Sequence, residues 1–211
     1  MTPYCSRTGT RSTLDALRRS SNDWRLLVSA TGRWDHQGFR YAIDNGAFTA
    51  FNKGHHGPDG FDAEKFSGVC QWSALQEHPP DWIVVPDLVA SPQSAEFSRG
   101  WLSRVQEFTQ RPLIAVQDGM SHQEADWFVD KGCGVFLGGS TEYKLATLHS
   151  WGAYCQARNC YFHVGRVNTA NRIKKCQVAG ADSFDGTSVA KFPSTLALLD
   201  RAIGQGAFCF T

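Results

Sequence analysis

Leu113-Ile114-Ala115-Val116-Gln117-Asp118-Gly119 holds the pattern on which the fold reading turns, a short apolar run that stops on an amide, a carboxylate and a glycine. The pattern recurs on both sides. Tyr41-Ala42-Ile43 runs into Asp44-Asn45-Gly46, and Trp82-Ile83-Val84-Val85-Pro86 runs into Asp87. Further on, Val135-Phe136-Leu137 meets Gly138-Gly139, Tyr161-Phe162-His163-Val164 meets Gly165-Arg166, and Ser183-Phe184 meets Asp185-Gly186. Runs this short and apolar suit strands buried on both faces of a parallel sheet, whose C-terminal ends deliver functional groups. Several deliveries in register imply one shared pocket.

Amphipathic stretches separate the runs, near 62–76, 91–109, 121–131, 142–158, 169–179 and 194–203. Their boundaries carry helix signals. Ser121 with Glu124 makes a capping box, Pro92 sits in a first turn, and Gly132 and Gly180 lie just past helix ends. Strand–helix alternation of this kind predicts an α/β fold with a parallel sheet and right-handed crossovers. Leu26-Leu27-Val28-Ser29-Ala30 adds a further strand, which makes seven, and Ala207-Phe208-Cys209-Phe210 is the candidate for an eighth. A compact (β/α)8 barrel of the TIM type is therefore favoured over an open doubly wound sheet. Residues 1–21 read as an N-terminal arm or helix, and 22–211 as a single barrel domain.

Composition narrows the function. Lys and Arg total 21 against 20 Asp and Glu, so any nucleic-acid site must be a local patch rather than a global charge. The seven cysteines form no C-x-x-C pair and read as reduced thiols. The polar, Arg-rich segment from Met1 to Ser21 has no apolar core of a secretory signal. No apolar stretch approaches the roughly 20 residues that span a bilayer. These features predict a cytoplasmic protein without a membrane partner (in the host cytoplasm, if the gene belongs to a phage).

Taken together and in order, the strand ends resemble those of the tRNA-guanine transglycosylases and their phage- and bacteria-encoded relatives that place 7-deazaguanines in DNA. The family's D-S-G-G-F-Q-x-F motif is similar to Asp44-Asn45-Gly46-Ala47-Phe48-Thr49-Ala50-Phe51, and its next strand-end aspartate to Asp87. Its V-Q-G-G and I-G-G segments resemble Val116-Gln117-Asp118-Gly119 and Phe136-Leu137-Gly138-Gly139. Its G-V-G strand end is similar to His163-Val164-Gly165, and its D-x-F-D-C motif to Asp182-Ser183-Phe184-Asp185-Gly186. The matches run from residue 41 to 186. No C-x-C-x-x-C follows Asp185, so the chain is expected to lack the family's C-terminal zinc subdomain and to need no metal or other cofactor. That departure, with the short chain, implies DNA rather than tRNA as the polymer. A free 7-deazaguanine base, such as 7-cyano-7-deazaguanine, would be the second substrate. A nearly neutral chain also leaves room for a second copy or an accessory protein to help grip DNA.

The resemblance assigns roles. Base exchange breaks an N-glycosidic bond through a transition state with positive charge on the sugar, which a nearby carboxylate stabilises or captures covalently. Asp185 takes that role, and Asp44 that of general acid/base; read alone, they would be a loop cap and an Asx-turn beside Asn45 and Gly46. Asp87 and Gln117 have the donors and acceptors to read a guanine-like edge, though Asp87 also suits a helix N-cap. Gly138 and Gly139 would offer backbone N–H groups, or simply a tight turn. Arg166 and Lys191 are candidates for phosphate or sugar contact, whereas Arg172, Lys174 and Lys175 read as a solvated helix face. Trp34 and Trp72 are candidates for base stacking. His163 reads as a core or pocket-wall residue, and His55-His56 as part of a mobile loop rather than a metal site. Because a stacked base hides its glycosidic bond, the enzyme would flip the nucleotide or use unpaired DNA. Three rival readings remain: the same exchange on tRNA, hydrolysis of an N-glycosidic bond, and a non-catalytic nucleotide- or DNA-binding barrel.

Overall fold

A computed structural model describes residues 1–7 and 10–205. Eight parallel strands follow one another around a closed barrel in chain order. They are β1 (Thr2–Ser6), β2 (Arg25–Ser29), β3 (Tyr41–Asp44), β4 (Ile83–Val84), β5 (Pro112–Val116), β6 (Gly134–Leu137), β7 (Phe162–Val164) and β8 (Ser183–Gly186). Between and after them lie α1 (Arg11–Arg19), α2 (Ala47–Asn52), α3 (Ala63–Ala74), α4 (Ser94–Gln106), α5 (His122–Val129), α6 (Thr141–Arg158), α7 (Ala170–Val178), α8 (Ser188–Lys191) and α9 (Leu196–Gly204). The chain is a (β/α)8 barrel of the TIM type.

The seven strands and six long helices read from the sequence are all present, within a few residues at their ends. The segment 1–21 is different. It is no arm outside the barrel: Thr2–Ser6 is the first barrel strand, pairing with β2 on one side and β8 on the other, and only 11–19 is helical. Pro3 hides this strand, because a residue without an N–H argues against a central strand. In a parallel ladder, successive N–H groups serve opposite neighbours, so one proline removes a single bond while Thr2 N–H still donates to the Asp182 carbonyl at 2.8 Å. The expected eighth strand at 207–210 lies outside the described residues. Closure does not depend on it, since β8 pairs directly with β1.

Period-two alternation sorts the strand residues between two separate apolar clusters. Leu26, Val28, Ile43, Ile114, Val135 and Phe184 face outward into the shell of helices. Tyr4, Leu27, Ala42, Trp82, Val84, Leu113 and Ala115 fill the interior, with Phe136 and Tyr161 against them. Continuing each alternation by one step places Ser29, Asp44, Gln117, Gly138, Gly165 and Asp185 on the inward side at the C-terminal mouth. Apolar side chains thus pack the lower barrel and leave the polar ones on top.

The lower end is closed by a buried charge. Asp81 accepts from the Tyr4 hydroxyl at 2.9 Å and forms ion pairs with Arg25 at 2.9 Å and Arg40 at 2.6 Å. Its side chain is 3% exposed, while Arg40 is half exposed, and the network ties β1, β2 and the entry to β3 and β4. Asp81→Ala would leave the buried Tyr4 hydroxyl without this acceptor and Arg40 without this ion pair, while Arg25 would keep Asp23. Urea denaturation should record a loss of about 1–3 kcal/mol, the cost typical of leaving a buried polar group unsatisfied.

Candidate active site

At the mouth, Asp44 ends β3 and pairs in register with Ser29 of β2, whose hydroxyl donates to its carboxylate. The Gly46 N–H donates to Asp44 Oδ2 at 3.1 Å, closing the Asx-turn. Gly46 has φ +82°, and a Cβ there would stand 2.8 Å from Thr31 Cγ2, so this turn requires glycine. Asp44 keeps part of its surface open, yet its carboxyl is surrounded by protein. Desolvation first, then repulsion from Asp185, pushes it up to about 6.

Asp185 sits on β8 with both oxygens engaged. Oδ2 lies 3.0 Å from His163 Nε2, and Oδ1 accepts from the Arg166 backbone N–H at 3.2 Å. Arg166 holds that position at φ +58°, a left-handed conformation that is costly for a residue with a side chain. Gly165 precedes it for a steric reason: a Cβ there would come within 2.8 Å of the Phe136 ring.

Asp87 is buried just beyond β4. Burial first, with the Asp44 charge adding to it, pushes its carboxyl up to about 7 against two donated hydrogen bonds. Those donors are Asn45 Nδ2 at 2.7 Å and Gln117 Nε2 at 3.1 Å. Asp44 is thus coupled to both Asp87 and Asp185, and Asp185 faces the cations of Arg166 and of Lys144 on α6. Lys144 is buried and donates to the Gly165 carbonyl at 2.7 Å. Desolvation pulls its ammonium down to about 8.

Other expected site residues do different work here. Gln117 points inward, but its amide is spent on its own loop: Nε2 also reaches the Leu88 carbonyl at 3.0 Å and Ser94 Oγ at 3.1 Å, while Oε1 accepts from Ala90 N–H at 2.9 Å. It clamps the segment between β4 and α4 and orients Asp87, rather than presenting a free base-reading edge. The Gly138 N–H is likewise committed, to the Val116 carbonyl at 2.9 Å. The Gly139 carbonyl accepts from the Arg166 guanidinium, which lies 4.1 Å over the Phe48 ring of α2. Arg166 is thus a roof over the mouth, not a free hand toward phosphate. Lys191 is exposed on α8, and its side chain makes no hydrogen bond or ion pair with any described residue.

The two tryptophans proposed for stacking belong to the packing. Trp34 bonds the Ala30 carbonyl and presses on Gly68 of α3, and Trp72 packs against Tyr41 and His36. Sequence reasoning passed over Lys144, Asn45 and Ser29. Asn45 and Ser29 were within reach, since one follows Asp44 and the other shares its register; no sequence signal marked Lys144.

No protein-family model and no curated protein sequence matches the chain. Among solved structures, it is similar to a point mutant of mandelate oxidase carrying a monooxide FMN adduct. The TM-score is 0.60 at 12% identity, over 97% of this chain and 73% of the oxidase. At that identity the likeness is one of fold alone.

Asp44 and Asp87 give the protein a pH signature. Both bind protons more tightly folded than unfolded, so folding is favoured most on the acid side of this window and weakens as pH rises from about 4 through about 6 to 7. Urea midpoints at pH 4.5 and 7.5 should show this fall, and Asp44→Asn should remove part of it.

Proposed function

We propose that this barrel is a base-exchange transglycosylase, replacing guanine in DNA with a 7-deazaguanine through a covalent aspartyl–sugar intermediate. The observation that carries the reading is a division of labour between two inward carboxyls. Asp185 is held by fixed hydrogen bonds, while Asp44, at about 6, is poised to exchange a proton near neutral pH.

In this reaction an Asp185 oxygen bonds to the anomeric carbon as the glycosidic bond breaks. The bonding electrons leave with guanine, which takes a proton from Asp44. The incoming deazaguanine then returns a proton to Asp44 and attacks the same carbon, releasing Asp185. Asp87, kept partly protonated by burial, is suited to contact a purine edge once the base enters, with Asn45 and Gln117 fixing its plane. Arg166 would have to swing off Phe48 for a nucleotide to reach Asp185, and its guanidinium would then be free for the sugar–phosphate chain. DNA rather than tRNA is taken as the polymer, on the likeness of the strand ends to those of the DNA-modifying relatives. A free base such as 7-cyano-7-deazaguanine completes the substrate pair, and a cytoplasmic setting suits the chemistry.

The test is incorporation of a labelled 7-deazaguanine into DNA and into tRNA, side by side, with trapping of a covalent DNA adduct. Asp185→Ala should abolish both label and adduct. Asp44→Asn should cut the exchange rate by about 10²- to 10⁴-fold, the range expected for a lost acid/base group, and remove the limb of the pH profile near 6. Full activity of Asp185→Ala would defeat the assignment. Labelling of tRNA alone would move the polymer, and release of free guanine without a second base would indicate a hydrolase.

A further inference from the structure

His163 stands directly beneath Asp185 and is completely buried on β7. Its partners are set by strand register: His163 pairs with Ser183 across the β7–β8 ladder, and Asp185 lies two residues further along the same face. Nδ1 is 2.7 Å from Ser183 Oγ, and Nε2 is 3.0 Å from Asp185 Oδ2. A carboxylate only accepts, so Nε2 carries the ring hydrogen and Nδ1 accepts from the Ser183 hydroxyl.

Packing removes the remaining freedom. The ring stacks on Phe136 at 4.8 Å and 24°, meets Trp82 at 4.5 Å, and touches the edge of Tyr4 at 5.9 Å. Two hydrogen bonds and three ring contacts leave the imidazole one orientation. Burial holds it towards the neutral form, against the pull of Asp185. A neutral donor has a chemical advantage here. It pins the carboxylate plane without an ion pair that would drain its negative charge.

Resting on the transglycosylase reading, we propose that His163 is a positioning residue that aims Asp185 for attack on the sugar, its tautomer set by the Asp185 carboxylate and its second nitrogen held by Ser183. With the Arg166 N–H on the other oxygen, His163 fixes the carboxylate plane and leaves a lone pair on each oxygen for the mouth. The pair acts on orientation and not on substrate binding, so its loss belongs in the chemical step.

Two readouts test this. In single-turnover adduct formation on DNA, His163→Phe should slow the chemical step by about 10²-fold, the cost of a misplaced reacting group, while DNA affinity stays within twofold. His163→Gln, whose amide nitrogen can donate to the same oxygen, should recover much of the rate and serves if the phenylalanine variant folds poorly. Wild-type rates in both variants, with adduct formed by wild type and lost in Asp185→Ala, would overturn the positioning role and leave the transglycosylase reading standing. The second readout needs no activity. The ¹⁵N spectrum of the His163 ring should report the Nε2–H tautomer and keep it in Ser183→Ala, and crystals of His163→Phe should show the Asp185 carboxylate rotated. An Nδ1–H tautomer, or an unmoved carboxylate, would overturn the proposal even for a protein that proves inactive on DNA.

Discussion

The ladder that joins Thr2–Cys5 to Ser183–Gly186 is the constraint from which the mouth is built, because it turns β8 from an edge into an inner wall. Only in a closed barrel does every second residue of every strand face one enclosed space. Closure places Asp185 opposite carboxyls that come from the far side of the sheet, beginning with Asp44 on β3. It also forces the rings of Tyr4, Trp82, Phe136 and His163 into one interior layer, since no open edge remains where they could lie.

That ring layer decides the electrostatics above it. The rings fill the barrel below the carboxyls, so Asp44 and Asp87 meet protein instead of water beneath them, and the Asp185 charge adds to the cost of ionising Asp44 as the Asp44 charge does for Asp87. Desolvation is the largest cause in the two shifted groups; repulsion from Asp185 is second for Asp44, and for Asp87 repulsion from Asp44 follows the opposing Asn45 hydrogen bond. The opposing cations are withdrawn from direct contact. Lys144 bonds a carbonyl, and Arg166 spends its guanidinium on Gly139 and Phe48. The carboxyls are balanced at a distance, an arrangement that suits the proton transfer and nucleophilic attack proposed for them.

Much of this was legible beforehand. Short apolar runs alternating with amphipathic stretches announced seven of the eight strands, and polar residues at their ends announced the mouth. The missing strand was hidden by Pro3, whose effect in a parallel ladder is one lost bond rather than a broken strand. Gln117 misled for a different reason. An inward amide at a strand end looks free for a ligand until its loop is present, and here Asp87, Leu88 and Ser94 take up its amine while Ala90 bonds its carbonyl. Gly138 and Arg166 share that fate, the first bonded to the Val116 carbonyl and the second to that of Gly139.

By itself, the sequence determined which residues close the strands, because an apolar run that stops on an amide, a carboxylate or a glycine is a local signal. Asp44, Gln117, Gly138 and Asp185 were all placed at strand ends in this way. Only the tertiary structure decided what those groups touch. The contact of His163 with both Ser183 and Asp185 depends on the register between two strands separated by a helix and its loops. The crowding that shifts Asp44 and Asp87 depends on three strands converging across the barrel. A strand's end is written into a few neighbouring residues, whereas pairing and desolvation are set by segments far apart in the chain, and only closure of the barrel brings them together.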